Sequence, residues 1–347
     1  MDLNFETICG DLPGSDWRIK VLRLRGTRAD GAPTAYLQAA LHGDEVPGVA
    51  TLHVLAAKLR ALHARGDVYG DIVLVPVANP IGLSQSLAGE PTGRYDLSNR
   101  MNFNRDFPLL AGPDASTLLP DDAPVTASMR LKARLVRLML PAELVLDLHC
   151  DEQSLPYVYL HEALWPACRD LLAAMPSDVA LLWKDDGGGA FEEAALAPWL
   201  GSGADLSGRT VATVELRGRA DVSPAYAEAD AAGLLRFLAG RGVVAGEGPA
   251  EWDGPVAPLD NVEMIRAPRG GIVLYHCDIG DRVASGDRVA TILFDPAAED
   301  GAVDIFAPQA GLVLSRRDQR ILRPGEDVMK IVANGPSATA RPGPLES

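Results

Sequence analysis

The sequence predicts an α/β protein, a sheet flanked by helices, joined to a smaller all-β unit. Three observations lead there. Short apolar runs alternate with helical patterns in the first part of the chain, and the most reactive side chains fall at the ends of those runs. A Gly- and Pro-rich break near residue 245 then precedes an internal repeat.

Ala35 to Leu41 (AYLQAAL) is a buried-strand candidate ending at His42-Gly43-Asp44-Glu45. Pro47 opens a helical pattern to about Arg65, with Val49, Leu52, Leu55, Ala56 and Leu59 on one side. Asp71 to Val77 (DIVLVPV) reads as the next strand, and Met129 to Leu140 as an amphipathic helix. Leu144 to Leu148 (LVLDL) is a strand running into His149, and Thr210 to Leu216 (TVATVEL) is another that carries Glu215. Open α/β sheets bind ligands beyond the carboxyl ends of their strands, where these residues lie.

Past the break GEGPAEWDGPVAP, Ile265 to Leu274 (IRAPRGGIVL) repeats as Ile305 to Leu314 (IFAPQAGLVL). Each copy is followed by a turn and a valine, Gly286-Asp287-Arg288-Val289 and Gly325-Glu326-Asp327-Val328. Two copies of short strands predict a β barrel-sandwich with pseudo-twofold symmetry. It resembles the biotinyl/lipoyl carrier domains, which hold a modified lysine in the hairpin joining their halves. The equivalent stretch, Ile292 to Asp300 (ILFDPAAED), has no lysine, and Lys330 falls at the end of the second half. The expected division is a catalytic unit over residues 1–250, a β unit without carrier lysine over 256–335, and a disordered tail over 336–347.

The chain has 347 residues, 47% hydrophobic and 23% charged, enough for a large core plus a smaller one. A net charge of −15 excludes nonspecific nucleic-acid binding, which needs clustered cations. Four dispersed cysteines without a CxxC pair predict neither a disulfide framework nor a cysteine-based metal site. No signal-peptide pattern opens the chain, and no apolar run reaches the roughly 18 residues of a membrane span. A reduced cytoplasm is the expected setting.

His42 and Glu45, three apart at a strand-to-helix junction, are candidate metal ligands. Taken alone the pair reads rather as a helix N-terminus, with Asp44 and Glu45 favourably placed against its dipole. His149 has little packing reason to end an apolar strand, and Asp147, on the same face, is placed to orient it. Asn99 to Pro108 (NRMNFNRDFP) crowds two arginines and three asparagines into ten residues, a set suited to gripping a carboxylate or to a polar surface loop. His53, His63, His161 and His276 read as structural or surface residues. Trp183 with Gly187-Gly188-Gly189 reads as an active-site flap or a solvent loop.

HGDE, NRDFP, DLH and a strand ending VEL, in that order over roughly residues 30–240, resemble the succinylglutamate desuccinylase/aspartoacylase family, a branch of the zinc-carboxypeptidase-like fold. The resemblance implies a mixed central sheet and one Zn²⁺ per chain, held by His42, Glu45 and His149. It implies that Asn104 and Arg105 bind the substrate's carboxylate and that Glu215 is the general base. It also implies an arginine polarising the scissile carbonyl, for which Arg94, followed by Tyr95, is favoured over Arg100. The activity so implied is deacylation of an N-acyl amino acid or related small N-acyl compound. A zinc carboxypeptidase and a catalytically silent metal-binding or carrier protein are the alternatives. The expected partner is a small N-acyl molecule, with neither nucleic acid nor membrane; homo-oligomers are compatible with the sequence but marked by no feature of it. Cys150-Asp151-Glu152, bulkier than the family pattern, leaves the acyl group open.

Overall fold

Leu144–Asp151 is apolar at five of its eight positions and buried along nearly its whole length, which only a strand covered on both faces can be. It sits at the centre of a nine-stranded sheet in a computed structural model that describes residues 2–28, 31–120, 122–184 and 187–339. The sheet order is Asp2–Cys9, Asp16–Leu24, Ile72–Val75, Ala35–Ala39, Leu144–Asp151, Thr210–Gly218, Tyr157–His161, Val179–Trp183, Val256–Pro258. Ala35–Ala39, Leu144–Asp151 and Thr210–Gly218 are adjacent and parallel, so their carboxyl ends share one edge. Antiparallel pairing begins on one side at Tyr157–His161 and on the other at Asp16–Leu24, which makes the sheet mixed.

Helices cover both faces. Pro47–Ala64 starts with proline at its first position, where the missing N–H is no loss. It lies against the side of the sheet carrying Ala39 and Leu148. A Cβ on Gly48 would stand 2.8 Å from the Cβ atoms of both, so this contact needs glycine. Phe191–Ser202 covers the opposite face, with the Phe191 ring 6.0 Å from that of Tyr36. Pro224–Gly240, capped by Ser223, whose Oγ accepts the Tyr226 N–H at 3.1 Å, packs beside the first helix. No helix among the described residues is long and apolar enough to cross a membrane.

The repeat folds as read. Val262–Arg266, Asp327–Ala333, Gly311–Arg316 and Arg282–Val283 form one sheet; Ala302–Phe306, Arg288–Leu293, Gly271–Tyr275 and Ile321–Leu322 form the other. The first strand of each repeat pairs with the last strand of the other, which generates the pseudo-twofold. Ala267 and Ala307, equivalent in the repeat, are each 2% exposed.

Two features differ from expectation. The end of the Gly- and Pro-rich break is not a free linker: Val256–Pro258 adds to the large sheet, parallel to Val179–Trp183. Ser337, inside the expected tail, is buried, donates its hydroxyl to Glu263 at 2.6 Å and its N–H to Asp260 O at 2.8 Å. The rest of that tail, from residue 340, lies outside the described residues.

The two units are knitted together. Gln153–Ser154 pairs with Gly311–Arg316, and Tyr157, Val179, Leu181, Val262, Leu314 and Val332 share one apolar cluster. Lys330 of the β unit donates to Asp151 Oδ2 at 2.6 Å at the end of the central strand. Both charges are largely out of water. Lys330→Met therefore strands the Asp151 charge, and a loss of roughly 3–5 kcal/mol is expected in urea denaturation. Asp151→Asn in the same chain should recover part of it by removing the orphaned charge.

Candidate metal centre and its cleft

His42 lies just past the Ala35–Ala39 strand, where the chain turns through Ala40 with φ of 53°. Asn79 holds that turn, taking Ala40 O with its N–H at 3.2 Å and Leu41 O with its amide at 2.8 Å. A Cβ on Gly43 would fall 2.1 Å from Leu83 N, so only glycine lets the loop pass this close. Glu45 follows immediately and turns back beside His42. His149 comes from the neighbouring strand and is in direct register with Glu215 on the next.

The Glu45 carboxylate bridges the two imidazoles. Oε1 stands 2.9 Å from His42 Nδ1, and Oε2 stands 2.8 Å from His149 Nδ1. Arg94 Nη1 donates to Oε1 at 3.1 Å and the Cys150 N–H to Oε2 at 3.2 Å. Each imidazole is backed by an acceptor on its other nitrogen: Asn102 Oδ1 at 2.9 Å behind His42, Asp147 Oδ2 at 2.9 Å behind His149. That backing fixes the orientation of each ring and turns its Nδ1 toward Glu45. All three residues are buried, and their ligand atoms lie within 4.8 Å of one another. Two oriented imidazoles and a carboxylate form a group able to hold a metal ion.

The electrostatics agree. Burial alone would raise the Glu45 carboxyl, but the two histidines hold it well below the ordinary value. Burial also works to lower His149, yet Asp147 and Glu45 together raise it well above its ordinary value. Burial and then Arg94 lower His42. The pocket thus favours a cationic charge against Glu45. For Glu215, burial dominates and pushes the carboxyl up to about 8, with His149 and Lys330 opposing it and Glu45 and Asp151 adding to it.

Asn104 and Arg105 line the same cavity as His42, Glu45, His149 and Glu215; its volume is about 90 Å³. Their loop is fixed from below by Lys132, 1% exposed, which donates to Arg105 O at 2.6 Å and Asn102 O at 3.3 Å. Burial lowers this lysine to about 8, while Asp106 and Asp96 pull it up. From above, the Asp106 and Phe107 N–H groups donate to Gly188 O at 3.2 Å and Gly189 O at 2.7 Å. The glycine run is therefore bonded to the NRDFP segment, and Trp183 lines the cavity; residues 185 and 186 between them lie outside the described residues. The cavity opens into a cleft of about 570 Å³ whose far wall is Arg316, Arg317, Gln319 and Lys330 of the β unit.

The two candidate arginines separate. Arg94 lines both cavity and cleft. Arg100 is exposed, on a turn closed by its N–H to Asp96 O at 2.6 Å with φ of 64°, and lines neither; the reversal between 96 and 100 carries it away. The other histidines stand apart from the cavity: His161 stacks on Trp183 at 4.6 Å, and His276 bonds Thr291 at 2.7 Å. Sequence reasoning passed over Lys132, which supports the loop, and the cavity-lining Glu192, Thr213, Tyr157 and Tyr159, and it weighed Lys330 only as a carrier lysine. A lysine within the apolar periodicity of Ala127–Met139 was the one available signal, for Lys132.

A mixed sheet with a His-Glu-His group at the ends of parallel strands defines the class, an α/β protein with a group able to hold a metal ion in a cleft. The chain belongs to the succinylglutamate desuccinylase/aspartoacylase family, whose catalytic-domain model matches residues 31–241. The family is one of amide deacylases acting on small acyl-amino acids. A family member from Shewanella amazonensis superposes with a TM-score of 0.82 at 26% identity, covering 96% of this chain and 99% of that one. Another from Shewanella frigidimarina gives 0.83 at 23%, covering 96% and 97%. The product-bound ectoine utilization protein EutE (DoeB) from Ruegeria pomeroyi gives 0.75 at 24%, covering 96% and 95%. No curated protein matches the chain.

Lys132→Met would leave the Arg105 and Asn102 carbonyls without their donor. Each such orphan costs about 1–3 kcal/mol, and a loss in that range is expected in thermal or urea unfolding.

Proposed function

We propose that the chain is a zinc-dependent amidohydrolase that removes the acyl group from an N-acyl amino acid or a related small N-acyl compound. The observation carrying the reading is the convergence on one cavity of a buried His-Glu-His group, an in-register carboxyl and a carboxylate clamp. His42, Glu45 and His149 would hold the zinc, since two imidazoles and one carboxylate leave a coordination position open. Zinc there would supply Lewis-acid polarisation of the amide carbonyl and a water of lowered pKa.

The chain's own residues do the rest. Glu215, in register with His149 and lining the cavity, is placed to take a proton from the attacking water and return it to the leaving nitrogen. Arg105 and Asn104 grip a substrate carboxylate and so present the amide to the centre. Arg94, donating to Glu45 at 3.1 Å from the cavity mouth, is the arginine within reach of the carbonyl oxygen. Arg100, exposed and away from the cavity, has no part in this reading. The β unit's wall across the cleft favours a small substrate over a polypeptide, hence a deacylase over a carboxypeptidase. Four unpaired cysteines are consistent with a reducing cytoplasm.

Metal analysis of the purified protein should return about one zinc per chain. Chelation should abolish release of amine from N-acetyl or N-succinyl amino acids, and zinc should restore it. Protein that never binds zinc would overturn the reading. Glu215→Gln should keep its metal while kcat falls by about 100-fold or more; unchanged turnover would remove Glu215 from its role.

A further inference from the structure

Glu215 is followed by an irregularity in its own strand. Glu215 pairs with His149 and Gly218 with Asp151, so Leu216 and Arg217 together face the single residue Cys150. That count is a β-bulge, a device that re-aims side chains beside active sites. Its second residue, Arg217, has φ of 60°, a left-handed conformation that residues other than glycine rarely hold. The strand pairing resumes at once: the Arg219 N–H donates to Glu152 O at 3.2 Å, and a Cβ on Gly218 would stand 2.6 Å from the same oxygen.

Alternation shows what the extra residue changes. Thr213 and Glu215 are in register with Asp147 and His149, and Asp147 with Gln38, so all share the sheet face of Tyr36, which Phe191–Ser202 covers. Both Thr213 and Glu215 line the cavity. In an unbroken strand, residue 217 would continue that series and bring a guanidinium into the cavity beside the Glu215 carboxyl. Instead Arg217 reaches the opposite face. It is ion-paired with Asp230, and its guanidinium sits 4.4 Å from the centre of the Tyr226 ring. Both partners belong to Pro224–Gly240, which packs beside Pro47–Ala64.

The pair is no incidental surface contact, since Asp230 is buried and Arg217 largely out of water. A strand in ordinary conformation could tie itself to that helix through position 216, which already faces it, with no strained backbone. Strain of this kind persists only where the surroundings impose it, and here it stands two residues beyond Glu215.

We propose that Arg217 and Asp230 are positioning residues: their pair holds the bulge, which fixes Glu215 toward the His-Glu-His group and keeps the guanidinium out of the cavity. The kinetic consequence rests on the reading of Glu215 as general base, whereas the conformation of the bulge is observable without turnover.

The test uses the zinc-loaded full-length protein, with zinc content and circular dichroism measured on every variant. Arg217→Gly and Arg217→Val both remove the cation and leave Asp230 unpaired, but glycine holds a left-handed φ freely and valine resists it. Arg217→Gly should therefore exceed Arg217→Val by about tenfold or more in kcat on an N-acyl amino acid, with KM equal within about twofold. (Arg217→Ala replaces the valine variant if that one does not fold.) Asp230→Asn should lower kcat by about tenfold, and adding Arg217→Gly to it should restore most of the loss. A pair that merely supported the fold would make the two Arg217 variants equal and the double variant no better than Asp230→Asn; either result overturns the proposal. Crystal structures of wild type and Asp230→Asn give the readout that needs no activity. If wild type hydrolyses no N-acyl compound, the hydrolase reading fails and these structures decide: Arg217 leaving its left-handed φ for the cavity side upholds the pair as what holds the bulge, and an unmoved Arg217 overturns it.

Discussion

The site depends on one carboxylate kept out of water. Glu45 is 4% exposed, and an ionised carboxylate so placed is tolerated only when surrounded by positive charge and donors. His42 and His149 take one oxygen each, Arg94 reinforces the first and the Cys150 N–H the second. That requirement reaches into the fold. His149 can meet Glu45 only because its strand runs parallel to Ala35–Ala39 and ends at the same edge. Glu215 faces the group only because Thr210–Gly218 continues the parallel order in register. The turn at Ala40, pinned by Asn79, is what brings His42 and Glu45 back over that edge. Asp147 and Asn102 then complete the chain of polarisation behind each imidazole.

The central strands were legible because they are buried on both faces and read as continuous apolar runs. Asp2–Cys9 and Asp16–Leu24 were not: DWRIKVLRL mixes charged and apolar residues, as an outer strand half in water must. Val256–Pro258 was hidden by its prolines, which an edge strand tolerates and an interior one does not. In the site, His42, Glu45, His149, Asn104, Arg105 and Glu215 were legible from ordered motifs, and the structure brings all six to one cavity. Choosing between Arg94 and Arg100 was beyond spacing, since the short turn after Asp96 decides it. Lys132 resembled its exposed neighbours on an amphipathic helix; only tertiary packing makes it the support of the clamp.

The β unit shows how a repeat can be recognised while its use is not. Its symmetry followed from IRAPRGGIVL and IFAPQAGLVL, and the pairing of each copy's first strand with the other's last realises it. Lys330 drew notice only as a carrier lysine in the wrong place. Its place is explained by Asp151: the second copy's last strand lies over the end of the large sheet, and the lysine reaches across. The unit therefore forms a wall of the cleft, because Gln153–Ser154 extends its sheet and the two share an apolar cluster.

Several polar groups buried away from the cavity gather full sets of partners. Asn79 uses both ends of its amide, Lys132 finds two carbonyls and a sulfur, and Asp151 gathers Lys330, Tyr157 and a backbone N–H. At the cavity Thr213 Oγ1, Glu192 Oε2 and Glu215 Oε2 are unmet, as Gln38 Nε2, Asp230 Oδ1 and Asp318 Oδ1 are elsewhere. Local consistency is expected to fail where function opposes stability. The failure here is held in place rather than relaxed. The helix start that carries Glu192 is tied to Asn104 through the Phe191 N–H and to Asp106 and Phe107 through the glycine run. The same bonds that steady the Asn104–Arg105 loop thus also fix the helix start beside the cavity, so the two walls move as one.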